Sequence, residues 1–301
     1  MDLSIIIVNY NTKDITSNCI DSIIENTKGI SYEIILVDNS SSDGSKEYFS
    51  RNDHIKYIYS EDNLGFGRAN NLALAYAKGR NIIFLNPDTL LINNALKILS
   101  DYLDNNPVVG VCGGNLFNEE MKPALSYRRI FPGILDELNN LFFRIPEKLY
   151  YYRTWSHNTT DTPLRVAHIS GADLMISRVV IDNVGAFSPD FFMYYEETDL
   201  CYRICKAGYE IHSVPQACIK HLEGKSFKSV FDEKRIKASE NGRFIFYSHN
   251  HSQKYHKIAN IIAEITLSFH YLVYKLFGYD EAASGCRLRR NYIHKLRISS
   301  K

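Results

Sequence analysis

Little in this chain is out of balance. Of 301 residues, 35 are Lys or Arg and 34 are Asp or Glu, a formal net charge of +1. No excess of one sign is available for broad electrostatic attraction, so nucleic-acid binding is not expected. No run of about 18 uninterrupted apolar residues occurs, which argues against a spanning helix. The start, Met1-Asp2-Leu3-Ser4, has neither a basic segment nor a small-residue cleavage site, so no signal peptide is expected there. The six cysteines form no CxxC pair. Cys201 and Cys205 stand one helical turn apart without a second pair at metal spacing, which favours reduced thiols in a cytosolic protein over a zinc site. Repeats and low-complexity linkers are also missing. What remains is an ordinary globular composition, 45% apolar and 23% charged, in a length suited to one large domain or two ordinary ones.

Short apolar runs punctuate the first half. LSIIIV (3–8), EIILVD (33–38) and NIIFL (81–85) read as fully buried strands, and 55–59 and 108–112 read as strands without that mark. Helical patterns lie between them, at 15–24, 45–51, 67–77 and 93–103. Strands alternating with helices predict βαβ units and a mostly parallel sheet with helices on both faces. Such sheets bind ligands at the carboxyl ends of their strands. The polar clusters sit at those ends: Asn9 to Asn11, Asp38 to Ser42, and Asn86 to Asp88. One composite site is therefore expected there.

The second half is less regular. Residues 118–165 are aromatic-rich and resist assignment. Residues 166–177 read as a strand broken at Ser170-Gly171-Ala172. A helix is predicted over 198–206, with Asp199 and Arg203 at i, i+4 and Gly208 as its stop; 209–214 is strand-like. Beyond 231 the pattern becomes helical. Ile258, Ile261, Ile262, Ile265, Phe269, Leu272, Val273 and Leu276 make one wide apolar face. A tail from Arg287 to Lys301 carries six basic residues and no acidic one. Such a helix and tail suit peripheral contact with an anionic membrane; the alternative is a helix packed on the core with a solvated tail.

SIIIVNYN (4–11), ILVDNSSSDGS (35–45), NLGFGRANN (63–71), FLNPDT (84–89), SGADLMISR (170–178), the stretch 184–211 and HLEGKS (221–226) occur in an order and spacing that resemble glycosyltransferase family 2. The likeness is strongest to its rhamnosyltransferase-like members and covers about residues 1–230. It implies a GT-A fold: a Rossmann-like, mostly parallel α/β sheet flanked by helices, here with a C-terminal helical extension. Residues 1–230 would form the catalytic domain, with 1–115 as the nucleotide-binding half and 116–230 as the acceptor half. Residues 231–301 would form the helical extension with its basic tail.

The resemblance also implies an inverting transfer from a nucleoside diphosphate sugar to a growing bacterial cell-surface glycan, free or lipid-linked. It places the enzyme in the cytoplasm or at the inner face of the plasma membrane. Val8, Asn9, Tyr10, Asn11, Asp38, Ser40, Asn63, Gly65 and Arg68 would line the donor site. A carboxylate at Asp38 can accept the imide N–H of uracil or thymine, which adenine lacks, so a dTDP- or UDP-sugar is expected. Gly65 allows close backbone approach at a new helix end, where Arg68 could reach the diphosphate. The absence of a full GxGxxG disfavours a dinucleotide-binding dehydrogenase, and no Gly-rich basic loop suggests a nucleotidyltransferase.

Asn86-Pro87-Asp88 occupies the place of the family's DxD motif, with Asn for the first Asp. Asp88 and His221 are the expected ligands of Mg²⁺ or Mn²⁺, which would neutralise the leaving diphosphate. Lys225 and Ser226 are candidate phosphate contacts, and Arg128 and Arg129 could face phosphate or acceptor. Gly171 and Asp173 match the sugar pocket. Glu196 and Glu197 match the family's Glu-Asp pair, with Glu197 in the position of the general base. A catalytically silent nucleotide-sugar or glycan-binding subunit is the alternative, permitted by the departures at Asn86 and Glu197.

Overall fold

The computed structural model describes residues 1–222 and 233–299. The elements, in chain order, are β1 (Leu3–Asn9), α1 (Lys13–Asn26), β2 (Tyr32–Asn39), α2 (Ser45–Phe49), β3 (Lys56–Ser60), α3 (Phe66–Leu74), β4 (Asn81–Leu85), β5 (Thr89–Leu91), α4 (Ala95–Asn105) and β6 (Val109–Phe117). They continue with β7 (Tyr127–Arg128), α5 (Ile134–Leu141), α6 (Ile145–Tyr151), β8 (Leu164–Arg165), β9 (His168–Ile169), β10 (Asp173–Ser177), α7 (Arg178–Val184), α8 (Glu196–Lys206) and β11 (Glu210–His221). Three long helices follow: α9 (Glu233–Asn250), α10 (Gln253–Leu276) and α11 (Asp280–Ser299).

Nine strands form the main sheet, in the order β3-β2-β1-β4-β10-β6-β11-β5, with β8 also paired to β11. The four N-terminal strands run parallel, as the apolar runs of β1, β2 and β4 predict. Every side chain of β1 and β4 is buried. β10 then enters antiparallel between β4 and β6.

Register carries the polar strand ends to one edge. Asn9 pairs with Asp38, and Asn39 with Ser60. Asp173 lies opposite Leu85, the residue before Asn86. His221 lies opposite Thr89, the residue after Asp88. β11 runs well past its expected end at 214, because a register shift between Ser213 and Cys218 takes in Pro215, which has no N–H for the ladder.

Contact density divides the chain into two compact units, and the division is interleaved rather than the expected linear split near 230. The first unit holds the sheet: residues 1–129, 153–192 and 196 onward through β11. Its core is one cluster in which Leu3, Ile5, Ile7, Ile83 and Met175 of the sheet meet Cys19, Ile20 and Ile23 of α1 and Leu96 and Leu99 of α4. The second unit takes residues 130–152, the three residues Met193–Tyr195, and the C-terminal helices. α10 and α11 pack through Ala263, Leu267, Cys286 and Ile293.

The basic segment continues the helical extension. Residues 280–299 are helical, and several of the cations are occupied within the unit. Arg289 bonds Glu240, Arg290 donates to Ser268, and Arg297 lies 3.5 Å from Glu264. The apolar stripe of α10 does not face the unit's core. Ile261, Ile265, Phe269, Leu272 and Leu276 are exposed, whereas Ala259, Asn260, Ala263, Thr266 and Leu267 are buried.

Candidate active site

The ends of β1 and β2 close over a Ser-rich loop by side-chain bonds. Asn9 donates to Ser41 Oγ at 3.0 Å and accepts from Thr12 and Thr16, both at 2.9 Å. Asp38 is fully buried; one oxygen accepts from the Ser41 N–H at 3.0 Å and the other from the Tyr57 hydroxyl at 2.8 Å. The same bonds push the Tyr57 phenol well up, burial first and the Asp38 carboxylate second. Asp38 therefore shapes the loop whatever else it touches. Val8 belongs to the core. Tyr10 and Asn11 reach the surface; Asn11 is left-handed (φ 55°) and accepts from the Ser42 N–H at 2.7 Å. Ser40 (φ 70°) donates to the Glu61 carbonyl at 3.0 Å.

Asn39 links this loop to the next. Its amide donates to Asn63 Oδ1 at 2.9 Å, and its Oδ1 accepts from the Leu64 N–H at 2.9 Å. Gly65 does need close backbone approach, but the partner is protein. A Cβ there would lie 2.1 Å from the Phe192 carbonyl oxygen, to which the Phe66 N–H donates at 2.9 Å. Arg68 is exposed in the first turn of α3.

A second cluster forms where β4 and β11 end. Asp88 Oδ1 lies 3.2 Å from His221 Nε2, and the Asn86 amide nitrogen 3.5 Å from the same ring nitrogen. The Leu222 N–H donates to the Asp88 carbonyl at 2.9 Å, fixing the two strand ends together. Among the described residues no group of three or more His, Cys, Asp or Glu side chains stands ready for a metal. Lys225 and Ser226 lie outside the described residues.

The carboxylate pair opens α8. Gly171 faces Glu197: a Cβ on the glycine would sit 3.7 Å from Glu197 Cγ, ordinary contact. Gly67 of α3 faces Glu196, at 3.6 Å from its Cβ. Glu196 is buried and its Oε2 has no hydrogen-bond partner. Burial first, then the charge of Glu197, pushes its carboxyl well above the usual carboxylate range. Glu197 is half-buried and accepts from the Thr198 hydroxyl at 3.2 Å; burial raises it too. Asp199 and Arg203 pair at 2.8 Å, as the i, i+4 spacing predicts.

Asp173 is fully buried beneath this region. One oxygen accepts from the Gly114 N–H at 2.6 Å; the other has no partner. Burial pushes it up to about 7, against the pull of Gly114 and His221. Asn39 and Ser41 belong to the polar cluster expected at 38–42, whereas Tyr57 and Phe192 stand outside every expected site residue. An Asn after the strand-ending Asp, before a Ser run, was the available signal for Asn39; Phe192 acts through its carbonyl, which no side-chain pattern reveals.

Parallel strand ends, an Asn-x-Asp turn facing a histidine and the Glu196–Glu197 pair lie in one α/β sheet unit of the GT-A type. A family model described as glycosyl transferase family 2 matches residues 4–177. The chain belongs to glycosyltransferase family 2. It is 30% identical over 220 residues to the low-salt glycan biosynthesis hexosyltransferase Agl10 of Haloferax volcanii, covering 70% of this chain and 64% of that protein. It is 28% identical to the rhamnosyltransferase WbbL of Escherichia coli K12, covering 76% and 86%. Among solved structures it resembles GalNAc-T7 with UDP, GalNAc and Mn²⁺, with a TM-score of 0.59 at 19% identity, covering 82% of this chain and 50% of that one. It also resembles the mannosyltransferase PcManGT of Pyrobaculum calidifontis with GDP-Man and Mn²⁺, with a TM-score of 0.58 at 16% identity, covering 94% and 73%. Both show the fold.

Proposed function

We propose that this chain transfers a rhamnosyl or hexosyl group, with inversion, from a dTDP- or UDP-sugar to a bacterial surface glycan, free or lipid-linked. The carrying observation is the Glu196–Glu197 pair, two adjacent carboxylates in different environments. Glu196 is buried beside a second acid, and both burial and that neighbour push its carboxyl well above the usual carboxylate range. Glu197 faces Gly171, which has no side chain, and serves as general base on the acceptor hydroxyl. The acceptor oxygen loses its proton to Glu197 as it attacks the anomeric carbon, and the bond to the diphosphate breaks.

Asp88 and His221, with Asn86 beside them, would hold one divalent cation, since a carboxylate oxygen and an imidazole nitrogen converge there to 3.2 Å. Mn²⁺ or Mg²⁺ there supplies charge neutralisation for the leaving diphosphate. The neutral Asn86 makes this a weaker cradle than two carboxylates. The proposed pyrimidine preference rests on Asp38 and on a relative named dTDP-rhamnosyl transferase RfbF, of Shigella flexneri. A lipid-linked acceptor is suggested by the name of the Mycobacterium tuberculosis relative, N-acetylglucosaminyl-diphospho-decaprenol L-rhamnosyltransferase. Among the described residues no helix is long and apolar enough to cross a membrane. We place the enzyme peripherally on the inner membrane face, through the exposed stripe of α10.

Donor turnover tests the reading: dTDP-rhamnose, UDP-glucose, UDP-galactose, UDP-N-acetylglucosamine and GDP-mannose, each with Mg²⁺, Mn²⁺ or EDTA. One metal-dependent pyrimidine donor is expected, and Glu197→Gln should lower turnover at least about 100-fold with donor binding kept. Wild-type turnover in that variant removes Glu197 as base. Binding without turnover in the wild type favours the silent subunit.

A further inference from the structure

Tyr194 and Tyr195, the two residues before Glu196, are consecutive and left-handed, with φ of 69° and 72°. Non-glycine residues rarely adopt that conformation, and two in a row persist only where their surroundings impose it. These two tyrosines belong to the helical unit, although the carboxylates that follow them belong to the sheet unit.

Their seat is α9. Gly242, buried near the middle of that helix, faces the Tyr194 carbonyl: a Cβ would lie 2.3 Å from its oxygen and 3.1 Å from its carbon. Glycine inside a helix is unfavourable, so close approach is the physical reason for one here. One helical turn on, Phe246 packs against the Tyr195 ring, with centroids 6.1 Å apart. α9 itself is fixed by Arg243, whose three guanidinium nitrogens reach Glu240, Glu137 and Asn260 at 2.7–3.0 Å.

We propose that Gly242 is a positioning residue for the carboxylate pair. By admitting the Tyr194 carbonyl it holds Tyr194 and Tyr195 left-handed, and that backbone sets the direction in which α8 begins and Glu197 points. The inference rests on Glu197 as general base. Small misplacements of a catalytic group cost far more in rate than in binding.

The test compares Gly242→Ala with Ser248→Gly, an exposed substitution in the same helix, in the full chain. Amide exchange over residues 193–200 should quicken in Gly242→Ala and not in Ser248→Gly, with β1 and β4 unchanged in both. With the donor that the panel identifies, kcat should fall at least tenfold, KM should move less than twofold, and the acid limb of the kcat profile should shift. Should Gly242→Ala fold poorly, Phe246→Leu carries the same test with a smaller expected loss of three- to tenfold. Wild-type exchange and kcat in a folded Gly242→Ala protein overturn the proposal. If Glu197→Gln retains turnover while exchange quickens in Gly242→Ala, the base assignment fails and the seat stands.

Discussion

The two units of this chain differ in what fixes their interiors. In the sheet unit β1 and β4 bury mainly apolar side chains, with Ser4, Asn9 and Asn81 as the exceptions. In the helical unit the interior holds Glu137, Glu240 and Arg243, each almost wholly buried, while Leu272 and Leu276 of α10 are 64% and 82% exposed. The charges are compatible with burial because they are saturated. Arg289 adds its own bonds to Glu240, and Tyr247 donates to Glu137 at 3.2 Å. Burial raises the Glu240 carboxyl, but Arg289 and Arg243 outweigh it and hold the group below its usual range. An interior fixed by directional bonds specifies one arrangement of helices, whereas an apolar interior tolerates repacking. That contrast suits a unit whose proposed task is to hold a backbone segment still.

The largest expected break in the comparison is Arg243→Met. It strands Glu137 and part of Glu240 in a buried site and should cost roughly 3–5 kcal/mol, as removal of one partner of a buried pair does. Ile5→Ala in the sheet unit should cost about 2–5 kcal/mol by cavity formation alone. Urea unfolding measures both. Only Arg243→Met should be partly rescued when Glu137→Gln is added, since that second change removes the stranded charge.

A smaller effect concerns Asp173, a fully buried acid of the sheet unit. Asp173 has a folded value of about 7 against an ordinary 3.8. Its folded form binds a proton more tightly than the unfolded chain does. Its penalty is therefore absent below the unfolded value, grows as pH rises from about 4 to 7, and is constant above that. Asp173→Asn, which keeps an acceptor for Gly114, should stabilise the protein by about 1–3 kcal/mol at pH 8 and change nothing at pH 4. A stability profile with the same slope in wild type and variant would show that Asp173 does not titrate there.

The smallest expected effect on stability, and the most telling for the surface, is Ile265→Glu with Leu272→Glu. Both positions are exposed, so unfolding should shift by no more than about 0.5 kcal/mol per site. Flotation with vesicles containing phosphatidylglycerol should nevertheless fall several-fold, because the apolar face and the bilayer charge both oppose the new carboxylates. Undiminished flotation would place the membrane contact elsewhere.

The sheet, its parallel half and its polar strand ends were legible in the sequence, because a buried strand must be a continuous apolar run and can end only where polar residues begin. So was the Asp199–Arg203 pair, which depends on helical spacing alone. Family likeness, not periodicity, singled out Asp88, His221, Glu196 and Glu197. The sequence could not say which side of α10 faces its neighbours. An apolar stripe ordinarily marks the buried face, and here small and polar residues such as Ala259 and Asn260 meet the other helices instead. Nor could it say that Gly65 and Gly242 make room for carbonyl oxygens of Phe192 and Tyr194, distant in the chain, or that residues 193–195 join the helical unit. Local pattern determined the elements and the edge at which a ligand can bind. Register, close backbone approach and the pairing of buried charges depend on residues far apart in sequence, and only the tertiary structure decided them.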